Sequence, residues 1–228
     1  MKLLRLALPA GLAGVLLLGC GGGESPTTAA PRSPTPSPPA PAERSAPPSA
    51  ASTAASDRID RLRRGGYIVY FRHAITGSVQ DDPSPDLSDP RTQRTLSPAG
   101  RTQAGEIGQA VRRLRIPIGQ VFASPYHRTR ETAELAFGKE RVRATRDLIS
   151  EGYPGTDDDA LARSLRRLLR QRPGAGTNTV LVSHGFNLAG ATGQSAAEGE
   201  ALIFDPGGRD PLEPIARIGA DEWRTLRG

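Results

Sequence analysis

Lysine is nearly missing from this chain. Of its 30 basic residues only Lys2 and Lys139 are lysine, and the rest are arginine. The formal charge of +6 would suit a binder of nucleic acid or anionic lipid, but two further shortages oppose that reading. Aromatic residues make up 4% of the chain, too few for a platform on which bases stack. From Arg101 to Arg172 the arginines are interspersed with acids and form no block of one sign. Nucleic acid is therefore not expected as a partner, and most of the charge should be solvated surface, with a few arginines committed to a site. Cysteine occurs once, as Cys20, which excludes an internal disulfide. Three histidines and one cysteine supply no recognisable metal-ligand set, so neither a metal nor another cofactor is expected.

The apolar run Leu6 to Leu18 is short for a bilayer span. A basic stretch from Lys2 to Arg5 precedes it and Leu17-Leu18-Gly19-Cys20 follows, the layout of a secretory signal. That ending resembles the lipobox of bacterial lipoproteins, in which cleavage before the cysteine accompanies its lipidation. The resemblance implies a signal peptide over 1–19, a lipidated Cys20, and an exported chain anchored to a membrane of the bacterial cell envelope. From Gly21 to about Ala55 the composition is Gly, Pro, Ser, Thr and Ala. Such a stretch buries too little apolar surface to offset the entropy of ordering, so 20–55 is expected to be a disordered, partly polyproline-II tether. The folded domain is expected over 56–228.

That domain should open with Ser56 capping a helix, Asp57 to Arg64, ended by Gly65-Gly66. Strands are expected at Tyr67–Phe71, Gln120–Ala123, Val142–Thr145, Thr179–Val182, Ala201–Phe204 and Ile215–Ile218. Ser97-Pro98 reads as a cap followed by a first-turn proline, opening a helix that carries Ile107, Val111 and Leu114. Further helices are expected from Pro125 to about Phe137, after Asp157 with Leu161, Leu165, Leu168 and Leu169 as the apolar stripe, near Leu188, and from Asp221. Strands alternating with helices imply an α/β fold: a mostly parallel central sheet with helices on both faces. The segment from Ala74 to Thr95 has prolines, four aspartates and no periodicity. Loops that long are usually functional or disordered, and this one is expected to face a substrate as a lid.

Three of the expected strands run into groups that suit phosphate: Arg72-His73, Ser124-Pro-Tyr-His-Arg128, and Ser183-His184-Gly185. Ligands of open α/β sheets bind beyond the carboxyl ends of the strands, so segments remote in sequence would converge there. Arginine offers a planar fork of donors to phosphate oxygens and keeps its charge. An imidazole attacks through one nitrogen while the other is held by a hydrogen bond. His127, beside Arg128 on a helix start, should diverge from it and lie at the surface or the pocket rim.

Together, Arg72-His73-Ala74, Leu96-Ser-Pro-Ala-Gly100 with Gln103-Ala104, Ser124-Pro125 with Arg128-Thr129 and Glu131-Thr-Ala133, and Ser183-His184-Gly185 resemble the histidine phosphatase superfamily in its phosphoglycerate-mutase-like branch. The resemblance covers Tyr67 to the C-terminus. It implies that His73 is the nucleophile that becomes phosphorylated and that Arg72, Arg128 and His184 complete the phosphate pocket. It also implies a general acid after the second arginine, for which Glu151 in Leu148-Ile-Ser-Glu-Gly152 is the match, with Asp147, Glu200 and substrate-assisted protonation as alternatives. Ala74 stands where the family usually has glycine. The expected function is a membrane-anchored, extracytoplasmic, metal-independent phosphomonoesterase acting on a phosphorylated small molecule or envelope glycolipid. The competing expectation is a non-catalytic lipoprotein that binds phosphorylated envelope components through the same pocket.

Overall fold

The structure, a computed structural model, describes residues 50–227. The expected signal peptide, Cys20 and nearly all of the tether lie outside the described residues. Helix α1 spans Ala50–Arg64, so it starts well before the expected Asp57, and Ser56 lies inside it and caps nothing. Ala50-Ala51-Ser52-Thr53-Ala54-Ala55 explains the difference. Alanine is the strongest helix former, and extending an existing helix costs far less than nucleating one.

Six strands form one sheet: β1 (Ile68–Arg72), β2 (Ile118–Ala123), β3 (Val142–Ala144), β4 (Asn178–Ser183), β5 (Ala201–Phe204) and β6 (Ala216–Ile218), in the order β3-β2-β4-β1-β5-β6. The first four lie parallel, β5 is antiparallel to β1, and β6 is antiparallel to β5. Strand β4 is buried at all six positions, as a central strand covered on both faces should be. The side-chain alternation of a strand divides β1 cleanly. Val69 and Phe71 face a core shared with Ile59 and Leu62 of α1, Ile107 and Val111 of α2 (Pro98–Arg113), Ala133 and Ala136 of α3 (His127–Phe137), and Trp223 of α6 (Glu222–Thr225). Ile68 and Tyr70 face the other core, with Leu165 and Leu169 of α4 (Asp158–Leu169) and Leu188 and Ala191 of α5 (Gly185–Thr192).

The expected helix starts at Ser97 and Asp157 hold. Ser97 Oγ accepts from the Gly100 amide at 3.0 Å, and Asp157 Oδ1 accepts from the Ala160 amide at 3.1 Å. Helix α3 instead begins two residues after Pro125, because Ser124-Pro125-Tyr126 makes the turn that leaves β2. Gly100 brings the first turn of α2 against the Ile75 carbonyl so closely that any Cβ there would collide with it.

Register decides where the site sits. Arg72 pairs with Ser183 and Ala123 with Val182, so the carboxyl ends of β1, β4 and β2 stand level and side by side. The three phosphate-suited groups therefore leave the sheet at one edge.

Candidate active site

His73 follows the last residue of β1 and is 1% exposed. Its amide donates to the Ser183 carbonyl at 3.0 Å, and the Ala74 amide donates to Thr132 Oγ1 at 3.0 Å. The strand end is thus tied to β4 and α3. Nδ1 of His73 lies 2.9 Å from the Ala74 carbonyl. A carbonyl only accepts, so Nδ1 carries the proton and Nε2 keeps its lone pair. Ala74 does not have the positive φ that would require glycine, and its methyl packs on Leu96 and Ala104. Glu198 Oε1 stands 3.8 Å from Nδ1 and 3.9 Å from Arg72, and is held by Thr76 Oγ1 at 2.8 Å.

His184 follows β4 and is 3% exposed. Its Nε2 and Ser124 Oγ form a 2.9 Å hydrogen bond, and the Tyr70 hydroxyl donates to its carbonyl at 2.6 Å. The ring lies 5.6 Å from that of His73 and 5.1 Å from that of Tyr126, edge-on to both. Arg128, in the first turn of α3, is 3% exposed. Its guanidinium stacks 4.3 Å above the Tyr126 ring, and Nη1 donates to Asp81 Oδ1 at 2.9 Å. Arg72 Nη1 donates to the Ala196 carbonyl at 3.0 Å.

Burial and the surrounding cations keep both imidazoles neutral. Burial, followed by Arg128, Arg72 and Arg94, pushes His73 down to about 3 against the opposing hydrogen bond to Ala74. Burial also holds His184 well below the ordinary imidazole range, with Arg128 next in effect. A neutral imidazole is the nucleophilic form.

Arg72, His73, Arg128, His184 and Glu151 all line one cavity of about 590 Å³. Within its wall the Nε groups of Arg72, Arg94 and Arg128 are buried without an acceptor. Three guanidinium groups and two neutral imidazoles thus line one cavity, a donor set suited to the oxygens of an anion. The segment 74–95 does face this cavity, through Gln80 to Pro83, Pro85 and Arg94. It is also more ordered than its sequence suggests. A short 3-10 turn at Pro90–Thr92 is capped by Asp89, and Asp81 accepts from both Arg128 and the Arg94 amide, the latter at 2.8 Å.

Glu151 is half-buried. Burial first, and then the charge of Asp158, raises its carboxyl pKa. Its carboxylate lies against Gly190 of α5, where any Cβ would collide with it. The alternatives do not reach the cavity. Asp147 faces Arg167 at 3.4 Å on the surface. Glu200 accepts from the Ala197 amide and pairs with Arg217 at 3.1 Å. His127 is half-buried and off the rim, with its amide donating to Gln93 Oε1 at 2.8 Å.

Arg94 and Asp81 are the site residues that the sequence reading missed. Arg94 sits three places from Arg91 in the same aspartate-rich loop, yet Arg91 only pairs with Asp89 at the surface. The faint signal was position: Arg94 directly precedes the Thr95-Leu96-Ser97 entry into α2. Among the described residues, no group of three or more His, Cys, Asp or Glu side chains could hold a metal ion.

Residues 68–152 match the model of the histidine phosphatase superfamily (branch 1). The match takes in Arg72, His73, Arg128 and Glu151. The fold is α/β, a mostly parallel central sheet flanked by helices. Among solved structures, phosphoserine phosphatase from Entamoeba histolytica is similar at 16% identity and a TM-score of 0.43, over 60% of this chain and 89% of its own. Mycobacterial glucosyl-3-phosphoglycerate phosphatase is similar at 18% identity and 0.46, over 61% and 89%. A protein from Thermus thermophilus is similar at 20% identity and 0.47, over 67% and 99%. No curated protein matches the chain.

Proposed function

We propose that the chain is a metal-independent phosphomonoesterase that works through a phosphohistidine at His73. The observation that carries this reading is that three arginines, Arg72, Arg94 and Arg128, line one cavity with a buried histidine that they and burial hold neutral. A phosphoryl group brings oxygens for those donors, and its charge must be spread for attack to succeed. Nε2 of His73 forms a bond to phosphorus while the bond from phosphorus to the alcohol oxygen breaks. The departing alkoxide takes a proton from Glu151, whose raised pKa suits a carboxylic acid that still holds one. Water then attacks the phosphohistidine, Glu151 recovers the proton, and inorganic phosphate leaves with His73 neutral again. Arg72, Arg94 and Arg128 hold the oxygens throughout, and His184 supports the developing charge.

The signal layout and Cys20 support placing this activity outside the cytoplasm, on a lipid anchor in the envelope, with a phosphorylated small molecule or glycolipid as substrate. The test is hydrolysis of a chromogenic phosphate ester in the presence of a chelator, together with trapping of labelled phosphate. The wild type should yield an acid-labile, base-stable phosphoenzyme, and His73→Ala should yield neither label nor turnover. Turnover surviving in His73→Ala would refute the covalent route. A wild type that binds phosphate without turnover would leave the non-catalytic binder standing.

A further inference from the structure

We propose that the alcohol carried by the substrate is apolar, with an aromatic ring preferred, and bears no second anionic group. The proposal rests on the phosphatase reading of the same cavity. Its first support is the distribution of charge. Arg72, Arg94 and Arg128 are the only cations among the described lining residues, and all three act on the His73 imidazole, which commits them to the phosphoryl end of a substrate. The acidic lining residues are Asp82, Asp81, which is paired with Arg128, and Glu151, which the proposed mechanism keeps protonated. A carboxylate or second phosphate on the alcohol would find no further cation and would face Asp82.

Its second support is the apolar part of the wall. Phe186, in the first turn of α5, is 72% exposed, more than any other large apolar side chain among the described residues. It lines the cavity together with Pro83 and Pro85 of the long segment and Ala189 and Ala196. The buried side of α5 is already supplied by Leu188 and Ala191, so Phe186 contributes nothing to the core. The cavity, at about 590 Å³, also matches the size of sites that enclose a whole small molecule. A phosphoryl group alone would leave most of it empty.

The experiment compares kcat/KM of the full chain on benzyl phosphate with that on 3-phosphoglycerate and phosphoserine, all three esters of alkyl alcohols. Benzyl phosphate should be favoured by about tenfold or more, the scale on which an apolar pocket discriminates. Phe186→Ser should lower that ratio by about tenfold, while Leu135→Ser, an exposed apolar change on α3, should leave it intact. Equal rates on the three esters, or an unchanged ratio in Phe186→Ser, would overturn the proposal. A second arm needs no turnover: calorimetry with phenylphosphonate and methylphosphonate. Tighter binding of phenylphosphonate that is lost in Phe186→Ser supports the apolar preference, even if no ester is hydrolysed and the phosphatase reading falls. Equal affinities would sink the preference whether or not hydrolysis occurs.

Discussion

Acidifying the protein from about pH 7.5 to about pH 5 should destabilise it sharply, and the structure supplies the size of the effect. His73 and His184 are both buried, and both are held neutral by burial and by the surrounding arginines. In the unfolded chain each would titrate near the ordinary value of about 6.5. Between that value and the depressed folded value the unfolded state binds more protons, so stability rises with pH. The contribution is complete above the unfolded value. It is lost as pH falls, and for His73 the loss ends only near about 3. Over the window from about pH 7.5 to about pH 5, linkage gives about 2 kcal/mol for His73, and His184 acts in the same direction. His73 alone is a sizeable share of a total stability of about 5–15 kcal/mol, and it should lower Tm by about 4–8 °C. Glu151, raised and half-exposed, acts in the opposite direction, but solvent screening reduces its share. The assay is thermal unfolding followed by circular dichroism across this window, for the wild type, His73→Gln and His184→Gln. Each variant should lose part of the slope. A Tm that stays flat to about pH 5, or slopes identical in wild type and both variants, would show that the imidazoles are not neutral and buried as described.

Arg128→Lys keeps the charge but loses the forked donation and the stacking on Tyr126, so kcat/KM should fall by about a hundredfold. Arg130→Lys, whose side chain only pairs with Glu134 along the helix, should change little; equal losses would mean the wrong arginine has been assigned. Glu151→Gln should lower kcat by about a hundredfold on esters of poor leaving groups and much less on p-nitrophenyl phosphate. The alkaline limb of its pH–rate profile should also disappear, because the wild-type acid loses its proton as pH rises through its raised pKa; an unchanged profile would release Glu151 from the role. Cys20→Ser should free the protein from membranes or leave it unprocessed, read by fractionation and mass analysis of the mature N-terminus, because stable anchoring takes more than one acyl chain. An unmodified Cys20 in a membrane-bound chain would instead make the apolar segment an uncleaved anchor.

The architecture was legible where the sequence carries a period or a cap. The bulky runs at Tyr67–Phe71 and Thr179–Val182 announced the two central strands, and Ser97-Pro98 and Asp157 announced two helix starts that the structure places where expected. What failed was local. Ser56 looked like a cap because polar residues at helix entries usually are, but the alanines before it let the helix run on to Ala50. Pro125 looked like a first-turn proline and instead lies in the turn that leaves β2. Neither error moved a strand end, so neither displaced the site.

The site itself was legible in proportion to how firmly the backbone fixes each residue. His73, His184 and Arg72 sit on or directly after strands paired on both sides, and once the strands were placed their positions followed. Arg128 came with its helix. Glu151, Asp81 and Arg94 are carried by irregular segments, where no period constrains direction and only tertiary contacts decide which side chain turns inward. Arg94 turns inward because Asp81 accepts its amide and the same Asp81 oxygen accepts from Arg128, a three-residue arrangement spanning the loop and α3. Arg91 turns outward because Asp89 claims it locally, at 2.8 Å. Two arginines of identical chemistry, three positions apart, are separated by which aspartate reaches them first, and no pattern in the loop encodes that choice. The same arrangement sets a condition on catalysis. Asp81 occupies Nη1 of Arg128, whose Nε is buried, so Nη2 is the Arg128 nitrogen left to meet a substrate. Binding of a phosphoryl group through Nη2 would leave the loop's hold on Arg128 in place, and the segment 74–95 would shape the pocket without having to open for each turnover.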